Sequence, residues 1–263
     1  MRDVHVHFLH GHGGGYTRDF FDGFITAAVQ AGLDEIRLLE HNYQFTEFEK
    51  VYASVKAYND YQRGWIERKM NGSIKSYLDF IETVKNEEFP VKVKFGLEVC
   101  YIPETADKLA DILGMYDFDF LAGSVHWIDG WGFDFGAQKD IWETVNIAKT
   151  YRRYYEIMAD LCESGLFDGL AHPDSIKCFG YTPDSDMTEI YEGLAMLLNK
   201  HGMYAENSGG LRLNYGSNCE LGLNQKLLDA FKLNNVTIYT ASDAHKQSDT
   251  GANIRELEKM LEV

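Results

Sequence analysis

Short apolar stretches rich in β-branched and aromatic residues recur along the chain, and longer segments with helically spaced apolar positions follow them. The first pattern is typical of buried strands and the second of amphipathic helices. The predicted strands are Asp3–Phe8, Glu35–Glu40, Val91–Val99, Phe118–Val125, Gly169–His172, Met203–Asn207 and Val236–Ser242. The predicted helices are Asp19–Ala31, Thr105–Met115, Ile141–Cys162, Asp186–His201, Asn224–Leu233 and Asn253–Leu261.

This alternation of strands and helices indicates an α/β protein with a parallel sheet, because parallel strands need crossover connections. Seven such units fit a closed or nearly closed barrel better than an open sheet. No stretch rich in Pro, Ser or Gly marks a linker, so residues 1–263 are predicted to form one domain. Residues 44–90 interrupt the pattern and are aromatic and charged, which predicts an inserted helical pair that covers part of the site.

Charge narrows the class of partner. The chain has 25 basic and 41 acidic residues, a formal net charge of −16. A polynucleotide binder needs a basic track that neutralises phosphates, and the sequence has none. We therefore expect a small substrate and neither a nucleic-acid nor a membrane partner.

The expected compartment is the cytoplasm. No basic and then apolar leader precedes the first predicted strand, and no apolar run has the length of a membrane span. The cysteines are Cys100, Cys162, Cys178 and Cys219, with no CxxC pair, which is typical of free thiols in a reducing compartment.

Metal-ligand residue types stand at the ends of six of the seven predicted strands. His5 and His7 are separated by one residue, as are Asp243 and His245, so each pair lies on one face of an extended segment. The other positions are His41, Glu98, His126 and His172. Because the carboxyl ends of barrel strands meet at one mouth, these side chains are predicted to form a single metal site.

The order of these motifs resembles the PHP (polymerase and histidinol phosphatase) family, from His5-Val6-His7 to Ser242-Asp243-Ala244-His245. The stretches 123–134 and 206–212 are similar to the histidinol-phosphate phosphatase branch. The resemblance implies a distorted (β/α)7 TIM-like barrel that binds two to three divalent metal ions. The implied ligands are His5, His7, His12, His41, Glu98, His126, His172, Asp243 and His245, with His10 as the alternative to His12.

Imidazole and carboxylate ligands without thiolates suit zinc, manganese or iron and do not separate them. Bound histidines add no charge, so only Glu98 and Asp243 offset the metals, and the cluster stays positive enough to bind a phosphate dianion. The same cluster would lower the pKa of a bridging water for attack on phosphorus. Glu98, Asp243 and His245 are the predicted catalytic residues, with Glu98 bridging two metals.

The resemblance implies hydrolysis of L-histidinol phosphate to L-histidinol and phosphate, a step of histidine biosynthesis. Arg212 is a candidate for binding the phosphate. Without the resemblance, a surface arginine in a flexible loop is an equally good interpretation of this residue. Trp127, Asp129 and Asp134 are candidates for the cationic end of this substrate. For the tryptophan, packing at the barrel rim is an equal alternative.

Other functions stay open. One is a hydrolase of this family that acts on another small phosphoester, which substrate profiling would distinguish. A second is a non-catalytic metal-binding regulatory module, which normally lacks some ligands. A nuclease of the family is disfavoured by the negative charge.

Overall fold

The computed structural model of the protein describes residues 1–9 and 15–262. Its strands are β1 (Arg2–His7), β2 (Glu35–His41), β3 (Lys92–Cys100), β4 (Phe120–Ser124), β5 (Trp127–Ile128), β6 (Trp131–Gly132), β7 (Gly169–Leu170), β8 (Tyr204–Ser208) and β9 (Thr237–Ala241). The α-helices are α1 (Arg18–Ala31), α2 (Ala53–Tyr58), α3 (Asp60–Lys69), α4 (Ile74–Val84), α5 (Ala106–Leu113), α6 (Ile147–Glu163), α7 (Thr188–His201), α8 (Gly210–Asn214), α9 (Gln225–Leu233) and α10 (Ile254–Glu262). Short 3₁₀ helices cover Asn42–Gln44, Thr46–Tyr52, Pro103–Thr105, Gly136–Glu143, Ser175–Lys177 and Gln247–Asp249.

Seven parallel strands form one sheet in the order β1-β2-β3-β4-β7-β8-β9. The sheet curls until its first and last strands meet. The His7 amide donates to the Ala244 carbonyl at 2.8 Å, and the Asp243 amide donates to the His5 carbonyl at 3.0 Å. The predicted parallel α/β barrel is confirmed, and it is nearly closed.

The barrel is irregular. The pairing of β1 with β2 shifts between Asp3 and Val6, where one extra residue is accommodated, and β7 has only two residues. Along β2 the alternation of a strand places Arg37, Leu39 and His41 on the same face. Leu39 belongs to a small buried cluster with Phe120, Ala122 and Ala171. An apolar layer of the barrel therefore lies before the strand ends that carry the polar chemistry.

The helices pack their apolar sides against the outer face of the sheet and enclose the main core. α1 illustrates how the sequence sets their ends. The Thr17 side chain accepts from the Phe20 amide at its start, and Gly32 ends it in the left-handed conformation. None of the described helices combines the length and apolar composition that crossing a bilayer requires.

Two predicted elements differ from the structure. The predicted helix Ile141–Cys162 is divided into a 3₁₀ helix, Gly136–Glu143, and α6, because the Asn146 side chain caps the new helix by accepting from the Lys149 amide at 3.0 Å. The segment after β2 contains two 3₁₀ helices and three α-helices, α2 to α4, and not a helical pair.

A β-hairpin formed by β5 and β6 was not predicted. Its turn is Asp129-Gly130, and both residues have positive φ, 49° and 86°. An Asp-Gly pair is a strong signal for a two-residue hairpin turn, so the sequence carried the information. The hairpin projects Trp127 and the following segment towards the mouth of the barrel.

Candidate metal centre

Glu98 lies at the centre of the barrel mouth and is fully buried. Its Oε1 is 2.8 Å from His126 Nε2 and 3.0 Å from His172 Nε2. Its Oε2 is 2.7 Å from His41 Nδ1, and His41 and Glu98 are paired residues in the register of β2 and β3. One carboxylate thus presents its two oxygens to two different groups of imidazoles.

The first and last strands supply the other side of the centre. The Nε2 atoms of His5 and His7 are 3.1 Å apart and lie 3.3 and 3.4 Å from Glu98 Oε2. Asp243 Oδ1 is 3.3 Å from His7 Nε2. The ring of His245 stacks on that of His7 with centroids 4.4 Å apart. The pairing between Val6 and Ala244 that closes the barrel brings these residues together.

Within the described residues, four overlapping triads of ligand atoms have all members within 4.8 Å of one another. These are His7–His41–His245, His5–Glu98–His172, His5–His7–Asp243 and His41–Glu98–His126. Imidazole nitrogens and carboxylate oxygens at such separations suit divalent first-row metals. The donor set therefore fits a centre for more than one ion.

Two ligand candidates have strained backbones. Asp243 has φ 56° and His172 has φ 29°, a region that non-glycine residues rarely adopt. A Cβ on Gly210 would lie 2.3 Å from Asp243 Oδ2, so only glycine fits beside this carboxylate. Strain and close packing of this kind fix the direction of a side chain at a functional site.

The buried Glu206 and the partly buried Asp134 each contact a histidine on the side of the ring that faces away from the centre. Both oxygens of Glu206, on β8, are 3.1 Å from His5 Nδ1. Asp134 Oδ2 is 2.7 Å from His126 Nδ1. Each carboxylate accepts from the ring nitrogen that faces away from the centre, which is the arrangement that orients metal-binding histidines.

The protonation states of the cluster differ between its members. Burial and the neighbouring histidines lower the pKa of His7, and burial lowers that of His41 to about 4. Burial also opposes protonation of His5, but the Glu206 and Glu98 carboxylates outweigh it and raise that pKa well above its usual range. The pKa of Glu98 is held well below its usual range because the adjacent imidazoles outweigh its burial. In the metal-free protein, protons therefore occupy positions that a metal would take.

A cavity of about 400 Å³ opens above the centre. Its lining includes the ligand candidates His41, His126, His172, Asp243 and His245, an aromatic wall of Tyr43, Trp65, Trp127, Phe135 and Tyr215, and the polar residues Lys69, Asp134 and Asn214. A smaller recess adjoins it and is lined by Ser175, Ser208 and Leu223 beside His126, His172 and Asp243. The metal-ligand candidates thus face a space of the size that a small substrate needs.

The structure brings eight of the nine ligand candidates to this mouth. They are His5, His7, His41, Glu98, His126, His172, Asp243 and His245. His12, and its alternative His10, lie outside the described residues.

The substrate candidates divide into two pairs. Trp127 and Asp134 line the cavity. Asp129 does not, because its exposed carboxylate pairs with Arg153 at 2.9 Å. Arg212 does not either, because its guanidinium points to the Cys219 carbonyl at 3.4 Å and to Glu256 at 3.5 Å. The phosphate contact of Arg212 stays a prediction that these contacts do not support, and Asp134 is engaged with His126.

Sequence reasoning missed the part played by Glu206 and by α3. Glu206 is an acidic residue in the one predicted strand to which no ligand had been assigned, and this was a usable signal. Trp65 and Lys69 reach the cavity from α3, which no motif marks.

Taken together, the fold and the site define an α/β barrel with a candidate multinuclear metal centre at the carboxyl ends of its strands. Residues 3–208 match the PHP domain family, and the chain belongs to this family. A probable histidinol-phosphatase of Deinococcus radiodurans is 29% identical over 210 residues, which cover 76% of this chain and 73% of that protein. The histidinol phosphate phosphatase of Lactococcus lactis, solved with zinc, L-histidinol and phosphate, superposes with a TM-score of 0.64 at 19% identity and covers 99% of this chain and 93% of its own. This second likeness concerns the fold.

Proposed function

We propose that the protein is a metal-dependent phosphomonoester hydrolase whose substrate is L-histidinol phosphate. The observation that carries the proposal is the position of Glu98, with Oε1 facing His126 and His172 and Oε2 facing His41. A carboxylate shared between two groups of imidazoles could serve as a ligand to two ions at once. The similarity to a probable histidinol-phosphatase and to a histidinol phosphate phosphatase supports this substrate. Membership of the PHP family supports a metal-dependent site.

Divalent ions held by these residues would supply positive charge to the phosphate oxygens and a water of lowered pKa as the nucleophile. The chain's own part is to hold the ligands in place. Glu206 and Asp134 orient His5 and His126, and the strained backbone at Asp243 directs its carboxylate towards His7. Glu98, Asp243 and His245 are the proposed catalytic residues.

The charge balance suits a phosphate dianion. Glu98 and Asp243 are the only carboxylates among the eight described ligand candidates, and histidine ligands are neutral. Two or three divalent ions would therefore leave the mouth positive inside a chain of net charge −16. Zinc, manganese and iron are the proposed metals, and His12 is the proposed ninth ligand.

The aromatic wall suits the organic part of histidinol phosphate. Tyr43, Trp65 and Trp127 line the cavity and contact one another, and rings of this kind can stack on an imidazole or make cation–π contacts with an ammonium. We further propose that residues 1–263 act as one domain with residues 44–90 as an insertion, and that the enzyme serves histidine biosynthesis in the cytoplasm.

The test is a substrate panel with the metal-loaded protein. We expect kcat/KM to be highest for L-histidinol phosphate among small amino alcohol, sugar and aryl phosphates. A wide preference for another phosphoester would support the hydrolase activity but contradict the assignment to histidine biosynthesis. Metal binding without hydrolysis of any member would favour a regulatory module.

A further inference from the structure

We infer that Lys69 is the residue that recognises the phosphate dianion in the cavity, an inference that rests on the proposed function. Among the described residues lining the cavity and its recess, Lys69 is the one Lys or Arg. A cationic donor makes the stronger hydrogen bonds to phosphate oxygens that do not face the metals, and the guanidinium of Arg212 faces Glu256 instead.

Lys69 is held at the cavity by its own helix. It lies four residues after Trp65, so both side chains occupy one face of α3. The Lys69 Nζ is 5.9 Å from the centre of the Trp65 ring. Trp65 packs edge-on against Tyr43 at 4.9 Å, and Tyr43 stacks on the ligand candidate His41 at 4.4 Å. A continuous wall thus leads from the metal centre to the ammonium group.

The helix itself is fixed to the barrel mouth. The buried Gln62 side chain donates to the Gly130 carbonyl at 2.6 Å and accepts from the Gly132 amide at 2.9 Å. These bonds tie α3 to the β5–β6 hairpin. Trp65 also contacts Trp127 and Phe135, with ring centroids 6.1 and 5.0 Å apart. The position of Lys69 therefore follows from buried contacts of the inserted segment.

The charge of Lys69 is available to a ligand. The ion pairs found among residues 1–9 and 15–262 do not include it, and its side chain is half-buried against the wall. Its neighbour Arg68 is exposed and lies at the same helix end, so both residues complement the helix dipole. Only Lys69 faces the cavity, and this difference separates a binding role from a helix-end role.

The experiment compares wild type, Lys69→Gln, Lys69→Arg and the matched control Arg68→Gln, all loaded with metal and checked for metal content. Two quantities are measured: the Kd of inorganic phosphate by calorimetry, and KM and kcat for histidinol phosphate at two ionic strengths. A charge-assisted hydrogen bond predicts that Lys69→Gln raises Kd and KM on the order of tenfold. The change in kcat should be small, because the contact is made equally before and during reaction.

We expect Lys69→Arg to retain most of the affinity, Arg68→Gln to match wild type, and the salt dependence of kcat/KM to weaken in Lys69→Gln. Equal constants for Lys69→Gln and Arg68→Gln would overturn the inference, as would loss of metal from Lys69→Gln. If wild type itself neither binds phosphate nor hydrolyses a phosphoester, the proposed function fails independently of Lys69.

Discussion

Both carboxylate oxygens of Glu206 lie 3.1 Å from Nδ1 of His5, on the side of the ring that faces away from the metal centre. Glu206 also accepts from the His172 amide at 3.0 Å. One buried carboxylate therefore fixes the ring of one ligand candidate and the backbone of another, although it is not itself among the ligand triads.

From this relationship we expect Glu206→Gln to weaken metal binding on the order of 10- to 100-fold, because the imidazole loses the partner that fixes its orientation and raises its basicity. Competition with a chromophoric chelator measures the affinity. The control is Glu163→Gln, which removes an exposed carboxylate paired with Lys200. Equal affinities for the two variants would exclude this role of Glu206.

The substitutions Asp134→Asn and Asp129→Asn should have different effects on activity. Asp134 orients His126, so Asp134→Asn should reduce turnover of histidinol phosphate and of an aryl phosphate by a similar factor. Asp129 is exposed and pairs with Arg153, so Asp129→Asn should stay near wild type on both substrates. A loss by Asp134→Asn confined to histidinol phosphate would instead assign Asp134 to the substrate.

Metal binding should release protons at neutral pH. In the metal-free protein, burial opposes protonation of His5 and His126. Glu206 and Glu98 beside His5, and Cys100, Asp134 and Glu98 beside His126, raise both pKa values well above the ordinary value of 6.5. At pH 7 these rings are therefore protonated, and a metal must displace the protons. His41, with a pKa of about 4, is already neutral and contributes none.

Because protons compete with the metal for these rings, metal affinity should increase as the pH rises above 6.5. Fewer protons should be released on binding once the pH passes the raised pKa values of His5 and His126. Calorimetric titration with zinc in two buffers of different ionisation enthalpy counts the protons. Zinc binding at pH 7 without proton release would contradict the protonation states inferred for His5 and His126.

The histidines at positions 10 and 12 give a separate prediction. If His12 is a ligand next to His41, His12→Ala should lower both metal content and turnover by more than His10→Ala does. Loss of an orienting partner alone costs on the order of 10- to 100-fold, so loss of a ligand should cost no less. The opposite ranking would assign the ligand to His10.

Much of the barrel and its mouth could be predicted because the signals are local. The one-residue spacing of His5 and His7 places both on one strand face, and parallel strands align their carboxyl ends. Contacts between residues far apart in the sequence could not be predicted from local spacing. His5 and Glu206 are 201 residues apart, and their contact depends on the closing of the barrel. Lys69 reaches the cavity through the packing of α3 on a hairpin that was not predicted.

Arg212 shows that a sequence motif does not determine the direction of a side chain. Its place after a strand in a glycine-rich loop favoured a phosphate contact, but α8 turns the chain so that Gly210 faces Asp243 and Arg212 faces Glu256. Spacing in the sequence fixes which residues share a loop. The direction of each side chain is set by the helix that the loop enters.

The most direct test of the account is phosphate release from L-histidinol phosphate by protein stripped of metal and then titrated with zinc, manganese or iron. We predict no release from the stripped protein, and recovery only when about two or more ions per chain are bound. We also predict that Glu98→Gln fails to recover in the same titration, because the bridging carboxylate is lost. Full activity in the stripped protein, or an active Glu98→Gln variant with the wild-type metal dependence, would contradict the central claim.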